Sequence, residues 1–378
     1  MTAVRARCVV AGLLTIGCGA TPVAPRPTAG RLSGGAGHTC AVDRRGSLWC
    51  WGENTDDQLG AGSEAGSTVP VRVPALSEVS RVSAGSYHTC ALLVSGSTYC
   101  WGWNVGGQVG DGMISNRRVP FEVPGLPASQ DLAAGSYHSC VLAGDGTGHC
   151  WGQNDAGQLG NGAQQNSGAP VGVFSLPPAG KLAAGGRHTC ARIIDGSVQC
   201  WGGNDSGELG DGTTAPHAFP EPVTGIVEAV AVATGFSHSC ALRAAGQVAC
   251  WGANGYGQLG DGSTVDSSVP REVSGLPPAT AIAAGYNHSC ALLADGEVRC
   301  WGWNASGQLG DGTTTDRPTP GAVIGLPRTL EITGGAFHTC ARGAAGNVSC
   351  WGSNGSGQLG DGTTVDRPLP VAVGGLAP

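Results

Sequence analysis

The amino-acid sequence predicts an all-β fold, a seven-bladed β-propeller of four-stranded blades. A unit of 50 residues recurs seven times without drift, with a His-x-Cys motif that begins at residues 38, 88, 138, 188, 238, 288 and 338. No helical period survives within the unit, whereas short alternating stretches are separated by Gly, Pro, Asn and Asp turns. The first and last units resemble the middle ones, which favours a closed ring over an open solenoid with distinct capping repeats.

Each unit is predicted to contain four short strands. In the second unit the alternating stretches lie near residues 81–85, 88–93, 97–102 and 119–123. The last unit stops at "PLPVAVGGLAP", after the counterpart of the fourth stretch, and an unmatched "GRLSGG" lies at residues 30–35. We therefore expect the ring to close by pairing the N- and C-terminal strands in one blade, which would also hide strand edges.

The first eighteen residues resemble a targeting signal rather than part of the propeller. In residues 1–18, Arg5 and Arg7 precede a short apolar stretch that ends in "LTIGC", which is similar to a bacterial lipobox. Cys18 would then be lipidated and become the new N-terminus. The match is imperfect because Thr15 stands where Leu is usual, and an ordinary cleaved signal peptide is the alternative.

The rest of the chain divides into a tether and the repeats. Residues 19–30 are rich in Pro, Gly and Ala and are predicted to be flexible. Residues 31–378 hold the seven repeats, and no stretch of them is long and apolar enough to span a membrane. The formal net charge of −7 becomes −9 when a leader with Arg5 and Arg7 is removed. This balance argues against a nucleic-acid partner, and we expect a monomeric propeller that meets a membrane only through its N-terminal lipid.

The repeated residues resemble a known family. "AGSYHTCAL" and "GSTYCWGWNVGGQVGDG" in the second unit look like the repeat of the regulator of chromosome condensation family, whose members are seven-bladed propellers. The resemblance covers about residues 30–378. It implies a packing and hydrogen-bonding role for the recurrent histidines, which the family keeps where the cysteines are absent. It also implies two precedents for function, nucleotide exchange on a small GTPase and extracellular protein binding by a secreted inhibitor of β-lactamases.

The spacing of the cysteines predicts one disulfide in each unit. Gly96 and its six counterparts fall at the third position of a three-residue hairpin loop, where a left-handed conformation is needed. This register places Cys90 opposite Cys100 in a non-hydrogen-bonded pair, whose Cα atoms approach to about 4.5 Å. The predicted pairs are Cys40–Cys50, Cys90–Cys100, Cys140–Cys150, Cys190–Cys200, Cys240–Cys250, Cys290–Cys300 and Cys340–Cys350.

Two other interpretations of these residues remain open. His88, Cys90 and Cys100 share one region of the hairpin and could bind zinc, or the cysteines could be a catalytic thiol pair. No fourth ligand recurs, however, and "DGTTTDR" matches a calcium loop poorly, so we expect neither a metal nor a cofactor. On the disulfide interpretation 14 of the 16 cysteines would form pairs, Cys8 would leave with the leader, and Cys18 is the candidate lipid site. An exported chain in an oxidising compartment is expected to leave no cysteine over.

The function is expected to come from positions that differ among the repeats. Because neighbouring strands alternate in direction, the residues before each histidine and the loop after each Cys-Trp-Gly emerge at one end of the ring. Clusters of Tyr and Trp are typical of protein interfaces and also stack on carbohydrate, although several could instead pack locally over loop glycines. The candidate ligand face contains Tyr87, Trp103, Tyr137, Arg187, Phe236, Tyr256, Tyr286, Trp303 and Phe337.

These features predict an exported binding scaffold that is not an enzyme, either anchored at an outer or cell-surface membrane or secreted. Its ligand would be a protein or a carbohydrate. A nucleotide exchange factor is an alternative, although that activity resembles a cytosolic or nuclear task and no unit is long enough for the wedge-like insertion it uses. A propeller enzyme acting on extracellular polysaccharide would need converging acids or histidines. His149, His217 and Glu53 are unrepeated, but they lie far apart within the unit.

Overall fold

The structure, a computed structural model, describes residues 30–376. These residues form 28 β-strands in seven four-stranded antiparallel sheets, which are the blades of a β-propeller. Across residues 30–376 no helix is long and apolar enough to cross a membrane. Residues 1–29 lie outside this range, so the signal peptide, the lipid on Cys18 and the tether stay predictions.

Each blade is built from four consecutive strands, and the first strand of each blade borders the central channel. The strands of the first three blades are β1 (Leu32–Gly34), β2 (His38–Val42), β3 (Leu48–Gly52), β4 (Ser67–Arg72), β5 (Val79–Ala84), β6 (His88–Leu93), β7 (Thr98–Gly102), β8 (Arg117–Glu122), β9 (Ser129–Ala134), β10 (His138–Ala143), β11 (Gly148–Gly152) and β12 (Ser167–Gly172). The strands of the fourth and fifth blades are β13 (Ala179–Ala184), β14 (His188–Ile193), β15 (Val198–Gly202), β16 (His217–Pro222), β17 (Ala229–Thr234), β18 (His238–Arg243), β19 (Val248–Gly252) and β20 (Ser267–Glu272). The strands of the last two blades are β21 (Ala279–Ala284), β22 (His288–Leu293), β23 (Val298–Gly302), β24 (Arg317–Ala322), β25 (Thr329–Gly334), β26 (His338–Gly343), β27 (Val348–Gly352) and β28 (Arg367–Ala372).

The central hairpin of each blade has the predicted register. In the second blade the Leu93 N–H donates to the Ser97 carbonyl at 2.9 Å, which closes the hairpin loop. Gly96 in this loop has a φ of 90°, a conformation that side chains other than glycine rarely adopt. Cys90 lies opposite Cys100 with a Cα–Cα distance of 4.1 Å, and the two sulfur atoms are bonded. All seven predicted pairs are disulfides, which confirms the cysteine assignment.

The hydrophobic core lies between adjacent blades. Trp101 of the second blade packs with Cys50 and Leu59 of the first blade. Its side chain is fully buried, and its Nε1–H donates to the Gln58 carbonyl at 2.9 Å. The tryptophan after the second cysteine of every blade is buried to the same extent. Each of these side chains therefore joins its blade to the preceding blade, both by burial of apolar area and by a hydrogen bond.

A ring of seven buried histidines forms a second set of ties between blades. His88 Nε2 lies 2.9 Å from Ser139 Oγ of the next blade, and this hydroxyl donates to the Gln108 carbonyl at 2.9 Å. Because the only hydroxyl proton goes to a carbonyl, the imidazole Nε2–H must be the donor to the hydroxyl oxygen. The members of this histidine ring are His38, His88, His138, His188, His238, His288 and His338, and each bonds to a Thr or Ser of the following blade.

The prediction that N- and C-terminal strands share one blade is wrong. Strand β1 pairs with β2 in the first blade, and β25 to β28 form the last blade by themselves. The two blades meet side by side, as all neighbours do: His338 Nε2 lies 2.8 Å from Thr39 Oγ1, and Trp51 Nε1–H donates to the Gln358 carbonyl at 2.9 Å. The repeat period gives the length of a unit but not its starting point. The innermost strand comes first in each blade, so "GRLSGG" begins the first blade.

The outer strands are protected against pairing with other molecules by a repeated proline. Proline has no backbone N–H, so it weakens an exposed edge as a template for another strand. This feature replaces the edge protection that a shared blade was expected to supply. The prolines of the outer strands are Pro70, Pro120, Pro170, Pro220, Pro270, Pro320 and Pro370.

Gly85 is expected to be one of the positions least tolerant of substitution. A Cβ atom there would lie 2.3 Å from His88 Cε1 and 2.5 Å from the Gly135 carbonyl oxygen of the next blade. We predict that Gly85→Ala lowers the free energy of unfolding by about 3 kcal/mol or more, because neither backbone nor imidazole can move aside. Gly172→Ala is the matched control, since a Cβ at Gly172 meets nothing within 4 Å. Equal denaturation midpoints for both variants would contradict this packing argument.

Candidate functional site

Two variable loops of each blade lie side by side at one end of the ring. In the second blade His88 is opposite Gly102, and the Trp103 N–H donates to the Tyr87 carbonyl at 2.9 Å. The same backbone bond joins the corresponding residues of the other blades. We call this end the variable face. It consists of the residues that precede each ring histidine and the loop that follows each Cys-Trp-Gly motif.

Three aromatic side chains of the second and third blades form one group on the variable face. The ring centroids of Trp103 and Tyr137 are 5.5 Å apart, and each lies 6.3 Å from the centroid of Tyr87. All three side chains are half-buried. We call this group the first aromatic cluster. Its rings support one another and still present surface to solvent.

Five further aromatic side chains form a chain of ring contacts through the fifth, sixth and seventh blades. The ring centroids of neighbouring members are 4.8 to 6.2 Å apart. Tyr256, at the outer end, is 44% exposed, and the other members are half-buried. This second aromatic cluster runs in the order Phe236, Tyr286, Phe337, Trp303 and Tyr256.

Tyr286 connects the two sides of the variable face. Its hydroxyl forms a hydrogen bond with Ser86 of the second blade and another with Ser136 of the third, although Tyr286 itself belongs to the sixth. Burial raises the pKa of Tyr286, so the hydroxyl stays protonated at neutral pH. Tyr286 and Phe236 border the mouth of the central channel, which contains a cavity of about 150 Å³. The aromatic side chains therefore extend across the channel mouth as a discontinuous band.

Arg187 lies apart from the aromatic contacts. Its guanidinium is 2.6 Å from an Asp155 carboxylate oxygen and 3.9 Å from one of Asp205. The side chain is exposed and occupies the position that Tyr87 and Tyr137 hold in their blades. The structure therefore gathers the eight aromatic candidates into two clusters and places the arginine in a local ion pair.

A groove of about 490 Å³ opens beside the first aromatic cluster. Its apolar wall is the cluster itself together with Val105. Its polar lining residues are Asp56, Gln153 and Asn166. An Asp56 oxygen accepts one hydrogen bond, from Asn116 Nδ2 at 3.3 Å. The groove thus offers aromatic faces, amide groups and a carboxylate within one concave surface, which is the composition of a ligand site.

The repeats can be assigned to a family by sequence as well as by shape. A family profile described as "Regulator of chromosome condensation (RCC1) repeat" matches residues 45–92, 95–142, 145–192, 195–242, 245–292, 295–342 and 345–377. The chain belongs to the regulator of chromosome condensation repeat family. A second profile of the same description matches seven shorter segments between residues 31 and 358. A comparison with curated proteins by sequence gave no significant match.

Three solved structures with a similar fold illustrate the likeness. Prp20p from Saccharomyces cerevisiae, whose structure was described with its binding to Gsp1p and histones, has a TM-score of 0.79 at 24% identity, over 86% of this chain and 85% of its own. Human WBSCR16 has a TM-score of 0.75 at 25% identity, over 82% and 84% of the two chains. The ectodomain of the Physcomitrella patens receptor kinase CR4 has a TM-score of 0.55 at 20% identity, over 85% and 73%.

The recurrent histidine and cysteines of this family member have structural roles. The sulfur atoms of Cys90 and Cys100 are bonded to each other, and His88 is hydrogen-bonded to Ser139. Among residues 30–376, no three His, Cys, Asp or Glu side chains are grouped so that they could hold a metal ion. The residues whose spacing suggested a zinc site therefore form a disulfide and a hydrogen bond between neighbouring blades.

The unrepeated residues considered for catalysis lie in three different blades. Glu53 is at the variable face of the first blade and accepts a hydrogen bond from Thr55 at 3.2 Å. His149 lies in strand β11 of the third blade. His217 lies in the outer strand β16 of the fourth blade, with Nε2 3.0 Å from an Asp211 oxygen. The three residues therefore do not share a blade.

Sequence reasoning missed the polar lining residues of the groove. Asp56 occupies a loop position where the other repeats have Gly, Ala, Ser or Tyr, and this difference is the signal that could have identified it. Asn166 ends the loop that also contains Gln153, and its signal is a recurrent Asn or Asp of the repeat whose side chain accepts the N–H of the loop asparagine. Ser86 was overlooked because its partner, Tyr286, lies 200 residues away.

Proposed function

We propose that the chain is a non-enzymatic binding scaffold that acts outside the cytoplasm and holds a protein or carbohydrate ligand on its variable face. One observation carries this proposal: the two aromatic clusters lie on the surface where the repeats differ, and one of them borders a groove. A repeated residue is explained by the packing of every blade, whereas an unrepeated aromatic side chain on the surface is not required by the repeat. Such side chains supply much of the binding energy in protein interfaces.

The cysteine chemistry supports a location outside the reducing cytoplasm. Seven disulfides are typical of an oxidising compartment, since cytosolic thiols are kept reduced. The leader and Cys18 add a route to the cell envelope, either as a lipoprotein or as a secreted protein. The ectodomain of a receptor kinase shows that this fold is used outside cells.

The proposal predicts that ligand capture depends on the aromatic clusters. The protein would be immobilised with its disulfides intact and used to capture partners from envelope and culture extracts, and a soluble glycan array would be probed in parallel. We expect Trp103→Ala to weaken capture about tenfold or more, because removal of a central aromatic anchor costs about 2 kcal/mol. Tyr87→Ala, Tyr137→Ala and Trp303→Ala are expected to weaken it in the same direction.

Two exposed aromatic residues serve as matched controls. Phe174 and Phe219 are 56% and 46% exposed and lie outside the variable face. Phe174→Ala and Phe219→Ala remove similar apolar area and are expected to leave capture unchanged. Thermal melts of every variant would separate lost binding from lost folding. Partners that bind all variants equally would exclude the aromatic clusters as the ligand site.

Nucleotide exchange on a small GTPase is a second candidate. It is favoured by the likeness to Prp20p over most of both chains, since that protein binds Gsp1p. The disulfides and the leader make the first proposal stronger. A small GTPase among the captured partners, together with faster release of its bound nucleotide, would favour this second function over the first.

A further inference from the structure

The electrostatic environment of the groove is negative. Charged residues of the variable face near the first aromatic cluster are Glu53 and Asp56, and both act on the Tyr87 hydroxyl. The pKa of Tyr87 is raised by burial and, beyond that, by Tyr137 and by these two carboxylates. Burial disfavours any charge at this place, whereas the two carboxylates disfavour a phenolate and favour a cation.

The neighbouring cations of this surface are already paired with carboxylates. Arg187 is held between Asp155 and Asp205. Arg118, in the outer strand β8, contacts Asp57 and Glu64. Within residues 30–376, the side-chain hydrogen bonds that the Glu53 and Asp56 carboxylates accept come from neutral groups, Thr55 and Asn116. Two carboxylates of the groove region are thus available to a positive charge that comes from outside the chain.

The aromatic wall adds a second attraction for a cation. The faces of Tyr and Trp rings carry negative charge density, and a guanidinium or ammonium placed over them within about 6 Å is attracted. Asp56 and the first aromatic cluster line the same groove, so one cationic group can meet a ring face and a carboxylate together. The Gln153 amide oxygen can accept a further N–H of a guanidinium, and so can the second lone pair of Asn166 Oδ1, which already accepts the Asn154 N–H at 2.9 Å.

We infer that this groove receives an arginine or lysine side chain of a protein partner. The inference rests on the proposed binding function and narrows its ligand to a protein that presents a basic side chain. A planar guanidinium suits the site best, because it stacks on an aromatic ring while its edge donates to a carboxylate. A neutral sugar would stack on the aromatic rings but would bring no positive charge to pair with the Asp56 carboxylate.

Binding of small arginine probes would test the inference without knowledge of the natural partner. The probes are acetylated and amidated pentapeptides Gly-Ser-X-Ser-Gly in which X is arginine or citrulline, its neutral isostere. The disulfide-bonded full chain would be titrated to about 10 mM peptide, and the Trp103 indole N–H would be followed by proton–nitrogen NMR. A Trp103→Phe variant assigns that signal. We expect the arginine peptide to bind at least about threefold more tightly than the citrulline peptide.

Charge variants sharpen the test. Asp56→Asn should weaken the arginine peptide about threefold to tenfold and leave the citrulline peptide unchanged. Glu221→Gln removes a carboxylate from the outer strand of the fourth blade and should change neither affinity. Added salt should weaken the arginine peptide alone.

Several outcomes would overturn the inference. They are equal affinities for the two peptides, no response of Trp103 to the arginine peptide, or a stronger response to galactose or N-acetylglucosamine. If the aromatic variants still lose their captured partner while the two peptides bind equally, only the inference about the cation fails. If capture is also indifferent to the aromatic variants, the proposed binding function fails with it.

Discussion

Acidification is expected to unfold the propeller between about pH 6 and pH 4, because all seven members of the histidine ring are buried and uncharged. Burial, with contributions from neighbouring histidines, lowers their pKa values to between about 3 and about 4. In the unfolded chain the pKa returns to about 6.5. The unfolded state therefore binds more protons throughout this interval, so the free energy of unfolding falls as the pH falls. Above about pH 6.5 the histidines are uncharged in the folded and the unfolded state alike, so this loss of stability is absent.

The expected effect is as large as the stability of an ordinary domain. At about pH 5 unfolding should take up close to seven protons, one for each ring histidine. The free energy of unfolding then decreases by up to roughly 9 kcal/mol for each pH unit. Proteins are usually stable by only about 5–15 kcal/mol. Calorimetry at pH 7, 6, 5 and 4.5 in buffers of different ionisation enthalpy would count the protons.

A variant outside the ring separates this mechanism from general acid denaturation. His149 lies in strand β11 and is not a ring member, so His149→Gln should leave the proton count and the steep interval unchanged. An uptake of only about one or two protons near pH 5 would show that the ring histidines do not carry the pH dependence.

The hydrogen bonds of the histidine ring explain why the fold is sensitive to acid. Each imidazole donates through Nε2–H. In six of the seven, all except His188, the buried Nδ1 has no hydrogen-bond partner within residues 30–376, so protonation there adds an unpaired buried charge.

Local geometry explains why so much of the fold was predictable. Gly96 needs a left-handed conformation, so its position determined the hairpin loop, and the loop determined that Cys90 meets Cys100. Strand direction then placed Tyr87 beside Trp103. Each of these steps involves residues less than 20 positions apart, within one repeat. The repeat itself supplied seven independent tests of the same pattern.

Relations between distant repeats were not accessible in the same way. The boundary of a blade depends on which strand faces the channel, and a periodic sequence carries no mark for that choice. Tyr286 reaches Ser86 across the channel, and Asp131 of the third blade pairs with Lys181 of the fourth at 2.8 Å. The Tyr286 contact has no counterpart one repeat away, and the Asp131 position carries different residue types in different blades (Arg81, Lys181 and Glu331), so the pairing there could not be inferred from the period alone. The division of the aromatic residues into two clusters also depends on contacts between repeats, so the period did not predict it.

Loss of the disulfides is expected to be the other large effect on stability. Each bridge closes a loop of ten residues and contributes at most about 2.7 kcal/mol in the chain-entropy model. The true value is smaller because the hairpin already holds its ends together. Even at about 1 kcal/mol each, seven bridges sum to a large part of an ordinary folding free energy. We expect the fully reduced chain to unfold at much lower denaturant concentration than the oxidised chain.

The burial of the bridges predicts how that reduction proceeds. The bridged cysteines are no more than 2% exposed, so a reductant reaches them mainly when a blade opens. Native protein at neutral pH should therefore resist dithiothreitol, while the same reagent in denaturant should release 14 thiols from the seven bridges. Thiol counting with and without denaturant measures this difference.

A Cys90→Ala/Cys100→Ala double variant removes one bridge and should lower the free energy of unfolding by at most about 2.7 kcal/mol, beyond any loss of packing. Many reactive thiols in unreduced, denatured protein would contradict the pairing, whereas equal midpoints for the reduced and oxidised chains would show that interblade packing alone holds the ring together.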